Sequence, residues 1–192
     1  TGFPRMILWA ANLRGPVAVP GTYQVRLSVS AGAGASALAQ SLTQSFAITK
    51  DPRLTSVTGA DLQEQFRLAM QIRDKLSQAN ETVVKIRALK DQINDRLAKI
   101  EGGKREAEGG KASGQRFSAA DKRIVAAGEA LAAKLTDIEG EIYQYRNQSS
   151  QDPLNYPIKL NNKLAALEGV VGSTDARPTA QSYDVFKDLS AR

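Results

Sequence analysis

The chain has 192 residues, 42% of them hydrophobic, which suffices for one large core or two small ones. Cysteine and histidine are both absent, so thiolate and imidazole metal sites, cysteine nucleophiles and Ser-His-Asp triads are excluded. A net charge of +6 could attract polyanions. The 26 basic residues are however interleaved with 20 acidic ones, as in Lys85-Ile86-Arg87-Ala88-Leu89-Lys90-Asp91, and no aromatic platform accompanies them. That is the habit of a solvated helix surface, and no nucleic-acid partner is expected. No run approaches the roughly 18 apolar residues of a membrane span, so no membrane insertion is expected. The opening Thr1-Gly2-Phe3-Pro4-Arg5-Met6 lacks the order of a signal peptide and reads as the middle of a larger protein.

Residues 1–53 read as β structure. Met6-Ile7-Leu8-Trp9-Ala10 is a short apolar run suited to a buried strand. Pro20-Gly21 supplies a turn, after which Tyr23, Val25, Leu27 and Val29 alternate with Gln24, Arg26 and Ser28, predicting one face on a core and one in water. Gln44-Ser45-Phe46-Ala47-Ile48-Thr49 alternates again. Three such strands leave edges and an apolar face uncovered, so they read as the last strands of a sandwich, or as strands covered by the helices or another chain. Between the second and third strands, Gly32, Gly34 and Ala37 match the G-x-G-x-x-G/A spacing of a dinucleotide loop. No helix pattern follows them, so a hairpin loop is expected there and no cofactor.

Residues 54–192 read as a helical bundle, with helices predicted over about 59–101, 118–148, 157–171 and 178–191. Asp51-Pro52-Arg53 ends the β region, and Thr58 with Asp61 forms a shortened capping box. Read in sevens, the first helix carries Leu62, Ala69, Leu76, Val83, Lys90 and Leu97 in one core row and Gln65, Ile72, Ala79, Ile86, Ile93 and Ile100 in the other. From Gly59 to Ile100 it would run about 60 Å at 1.5 Å per residue. Gly102-Gly103 is expected to stop it, and the glycine-rich residues 102–117 to form a mobile polar linker. Ser118 and Asp121 repeat the cap signature behind Phe117, a candidate staple. The second helix shows Ile124, Gly128, Leu131, Leu135, Ile138, Ile142 and Tyr145 in alternating steps of four and three, with Gly128 allowing close approach. Pro157 suits the first turn of a third helix bearing Leu160, Leu164, Leu167 and Val171. Pro178 opens a fourth with Tyr183, Phe186 and Leu189. These two short helices can cover one flank of the long pair.

Phe3-Pro4 through Trp9, Arg14-Gly15-Pro16-Val17-Ala18-Val19-Pro20-Gly21-Thr22-Tyr23 and Asp51-Pro52-Arg53 resemble the C-terminal part of bacterial sortilin-like proteins with BNR/Asp-box β-propeller repeats, often labelled glycosyl hydrolases. Asp152-Pro153-Leu154-Asn155-Tyr156-Pro157-Ile158-Lys159-Leu160-Asn161-Asn162 and Asp175-Ala176-Arg177-Pro178-Thr179-Ala180 resemble the same family's tail. The resemblance implies a large periplasmic or extracellular parent with upstream β-propeller and immunoglobulin-like sandwich domains as partners. The fold class it completes is α+β, mainly α: terminal strands of an immunoglobulin-like β-sandwich followed by an antiparallel bundle built on one very long helix. It implies no catalytic site in this chain.

The expected function is therefore a non-catalytic structural or interaction module, with a homodimer possible. The alternative is part of a glycoside hydrolase or carbohydrate-binding protein whose active site lies in the propeller. No catalytic, cofactor or metal residue is expected, and the candidate interaction residues are Lys90, Trp9 and Tyr156. Lys90 sits in the apolar seam, where it either sets register or snorkels to solvent. Trp9, Tyr143, Tyr145, Tyr156 and Tyr183 could stack on sugars, although each also fits a core or cap position. Glycoside hydrolysis needs two carboxylates about 5–10 Å apart. Glu139 with Glu141 and Asp184 with Asp188 supply pairs that read as ordinary surface charge.

Overall fold

The computed structural model describes residues 15–28, 41–108, 118–147 and 151–191. The expected strand at Met6–Ala10, Trp9 within it, the glycine loop at 31–37 and the staple Phe117 lie outside the described residues. Two antiparallel strands, β1 (Gly21–Ser28) and β2 (Ser41–Ile48), precede four helices: α1 (Gly59–Glu108), α2 (Ala119–Ile142), α3 (Leu160–Val171) and α4 (Ala180–Ser190). The described protein is thus mainly helical with a small two-stranded sheet.

In the sheet, Tyr23 pairs with Phe46, Val25 with Gln44 and Leu27 with Leu42. This register gathers the apolar side chains on one face, and the Tyr23 and Phe46 rings stack with centroids 6.0 Å apart. The alternation predicts that this face meets a core. Instead Val25, Leu27, Leu42 and Phe46 are exposed, and among the described residues no helix packs against either strand.

Both helix-start signals operate as capping boxes. The Thr58 hydroxyl accepts from the Asp61 backbone N–H at 3.2 Å while the Asp61 carboxylate accepts the Thr58 N–H at 2.9 Å, and Ser118 and Asp121 repeat the exchange. Along α1 every position of the two heptad rows from Leu62 to Ile100 is buried or half-buried. Leu68, beside those rows, is also buried and widens the apolar face where more than one helix must be met. Gly102-Gly103 does not end the helix, which continues to Glu108. Each glycine costs about 1 kcal/mol relative to alanine, too little to stop a propagating helix that then meets Lys104-Arg105-Glu106-Ala107-Glu108. The expected linker is therefore helical in its first part.

The remaining boundaries shift inward. Helix α2 ends at Ile142 because Tyr143 turns extended, at φ −136° and ψ 136°, and buries its ring. Pro157 precedes α3 rather than opening it, and its carbonyl accepts from Gln144 Nε2 at 3.0 Å. Thr179, not Pro178, caps α4, its hydroxyl accepting from the Ser182 N–H at 3.3 Å.

Leu160, Leu164, Leu167 and Val171 of α3 all enter the core with Leu68, Ala69, Ile72 and Ala79 of α1 and Leu189 of α4. Tyr183, expected on the α4 stripe, is exposed, and Ser182 is buried in its place. Helix α2 covers the other end of α1 in antiparallel fashion, but rotated from the predicted phase. Ile124, Leu131, Ile138 and Tyr145 are about half exposed, whereas Gly128, Ala132, Leu135 and Glu139 face α1. Close approach explains the rotation: a Cβ at Gly128 would stand 3.1 Å from Leu97 Cδ2 and 3.5 Å from Ile93 Cγ2. Small residues let the two backbones draw together where large ones would hold them apart.

Leu164 is completely buried at the centre of the three-helix region. Leu164→Ala should cost about 2–5 kcal/mol, measured by chemical denaturation followed by circular dichroism.

Candidate functional site

The charged centre of the molecule lies between α1 and α2. Glu139 is only 4% exposed. Its Oε1 accepts from Arg87 Nε at 2.6 Å and its Oε2 lies 3.1 Å from Lys90 Nζ. The Arg87 guanidinium also lies over the Tyr143 ring, 4.9 Å from its centroid. Lys90 therefore reaches across the interface rather than snorkelling away from it. Glu139, expected as surface charge, is the buried partner that Lys90 requires. Only one alignment of the two helices sets both cations on this carboxylate, and sliding by one turn, about 5.4 Å, would strand all three charges.

The carboxylate pairs proposed from sequence share no cleft. Glu141 is solvent-facing and takes Lys159 at 3.3 Å, while Glu139 two residues earlier points into the α1 interface. Asp184 and Asp188 are both exposed on α4. A depression of about 450 Å³ adjoins Glu141, lined by Pro157, Ile158, Lys159, Leu160 and Lys163. Among the described residues lining it, Glu141 is the one carboxylate, where glycoside hydrolysis uses a pair.

Tyr156 is half-buried in the turn after α2. The Arg146 guanidinium lies 5.9 Å from its ring centroid and 6.0 Å from that of Tyr145. One arginine thus engages both rings by cation–π attraction. Of the aromatic residues proposed as sugar platforms, Tyr145 and Tyr156 thus meet at Arg146, whereas Tyr143 is buried against Arg87 and Tyr183 lies on α4.

A second cluster fastens the α3–α4 turn to the first turns of α1. Arg177 Nε lies 3.1 Å from Asp61 and 2.8 Å from Glu64. Gln65, the polar residue of the second heptad row, donates to the Val171 carbonyl at 2.7 Å and to the Thr174 carbonyl. The strand-to-helix connector is drawn in by Lys50, whose Nζ donates to the carbonyls of Leu54 and Val57, each at 2.7 Å. Hydrogen bonding to Thr58 holds the Asp61 carboxyl below its ordinary range. Glu168, on α3 beside this junction, is pushed up by burial, which Arg73 partly opposes.

No protein-family model, curated protein or solved structure matches the chain. Among the described residues no helix is long and apolar enough to cross a membrane.

Two measurements test these clusters. Glu139→Ala leaves Arg87 and Lys90 without their carboxylate and should cost about 3–5 kcal/mol in urea denaturation. Replacing Arg87, Lys90 and Glu139 together by leucine should cost far less, because no charge is then stranded. Glu168 has the opposite linkage to a salt-bridged acid. Its folded pKa exceeds the unfolded one, so its contribution is most favourable below about pH 4 and declines as pH rises through the folded pKa. Glu168→Gln should raise the melting temperature at pH 7 and leave it unchanged near pH 3.

Proposed function

We propose that this chain is a non-catalytic association module of a larger secreted protein, in which the β hairpin ends a β layer and the helices form a stalk fastened to it. The observation that carries the reading is the uncovered apolar face of the hairpin: Val25, Leu27, Leu42 and Phe46 share one side of a two-stranded sheet and all are exposed. A lone hairpin is marginal in water, so this face is suited to further strands or another domain. Terminal strands of an immunoglobulin-like sandwich, downstream of a β-propeller in a periplasmic or extracellular parent, would have this form. The antiparallel bundle built on α1 would then project from that sandwich. Any hydrolytic or carbohydrate-binding activity belongs, in this reading, to the upstream domains.

Amide hydrogen exchange tests it. Joined to its upstream domains, the chain should protect β1 and β2 at least about tenfold more strongly than alone, a gain of about 1.4 kcal/mol. Equal protection in the two forms would refute the hairpin as part of a continued β layer. The chain alone should leave a panel of chromogenic glycosides unhydrolysed.

A further inference from the structure

The distal half of the α1–α2 pair carries an apolar stripe that neither helix covers. Ile124, Leu131 and Ile138 recur every seven residues on α2 and are each about half exposed. Helical position places Leu89 of α1, also about half exposed, on the same side of the antiparallel pair, level with the space between Leu131 and Ile138. Ile93, Leu97 and Leu135, beneath the stripe, are only half-buried. Nearer the start of α1 the same problem is solved by a third helix, α3, whose Leu164 is fully buried there. At the distal end the third position has no occupant among the described residues.

The rim of this stripe is basic except at its proximal end, where the exposed Glu141, three residues past Ile138, pairs with Lys159. Lys85 and Arg96 flank Leu89 on α1, and Lys134 lies between Leu131 and Ile138 on α2. All three are exposed, and among the described residues none takes part in a salt bridge. The carboxylates of the same stretch, Asp91, Asp95, Glu129 and Asp137, fall on other faces of their helices. Extending this association reading, we propose that the stripe is a docking groove for an acidic amphipathic helix of a partner protein. Such a helix would lay a heptad row of leucine or isoleucine between α1 and α2, with Glu or Asp along both edges facing Lys85, Arg96 and Lys134. A second copy of this chain is the poorer occupant, since two-fold apposition of this face would set cations against cations.

The test uses the full 192-residue chain and two fluorescent helical peptides with identical leucine heptads, one edged with glutamate and the other with lysine. The glutamate peptide should bind at least about tenfold more tightly, and its affinity should fall as salt rises. Reversing the rim with Lys85→Glu, Arg96→Glu and Lys134→Glu should invert the preference. Leu131→Ser with Ile138→Ser should weaken binding of the glutamate peptide about tenfold or more. Because both residues are half exposed, circular dichroism should still show the folded helical chain. Equal binding of the two peptides, or binding of neither, overturns the proposal. So does a dimer in sedimentation that Leu131→Ser dissociates, or binding to phosphatidylserine-containing vesicles without binding of the glutamate peptide. Failure here with hairpin protection intact would remove this groove and leave the association reading standing.

Discussion

An amphipathic helix as long as α1 cannot leave its seam in water, and no single neighbour covers that seam from end to end. This constraint organises the helical part. In its first half the seam widens to include Leu68, and the broadened face is shared by α3 and α4 around Leu164 and Leu189. Beyond Val83 the seam narrows to its two heptad rows and, among the described residues, α2 alone lies on it, leaving Ile93, Leu97 and Ile100 half-buried. The result is a compact three-helix body that tapers into a two-helix arm.

The change in cover coincides with a change in polarity. Asn80 and Asn161 approach each other where α3 begins, and within a few turns of α1 the Arg87–Glu139–Lys90 cluster follows. A purely apolar interface between two helices tolerates sliding, since one leucine layer resembles the next. A carboxylate held by two cations does not, because its alternatives leave desolvated charge without a partner. The cluster adds little net stability over well-packed leucine, and its consequence is alignment.

Much of this organisation was legible in the residues. The heptad rows of α1, both capping boxes and the α3 stripe follow from periodicity and short-range hydrogen bonding, which tertiary context did not override. The phase of α2 was not legible, because large side chains carry the hydrophobic pattern whereas the packing favours Gly128 and Ala132, whose small size permits close approach. Glu139 is hidden for a related reason: a lone acid on an amphipathic helix resembles surface charge. The usable signal lay elsewhere, in Lys90. A cation in an apolar seam implies an opposing acid, and antiparallel pairing of Gly128 with Leu97 brings Glu139 level with Ile86 and Arg87, one turn from Lys90. For the hairpin, alternation gave the strands and their faces but could not tell whether anything covers the apolar one.

The fastening of the α3–α4 turn onto α1 has a consequence for synthesis. Gln65 waits for Val171, 106 residues further along, and Glu64 waits for Arg177, 113 residues further along. The arm closes over shorter spans, with Arg87 meeting Glu139 only 52 residues later. As the chain leaves the ribosome N-terminus first, the arm can zip while the body's half of α1 still shows Leu68 and Ile72 to water. Loop-closure entropy and order of emergence thus act in the same direction. The nascent chain meets its most sticky interval between release of α2 and arrival of α3, the interval in which a holdase chaperone would find most to grip.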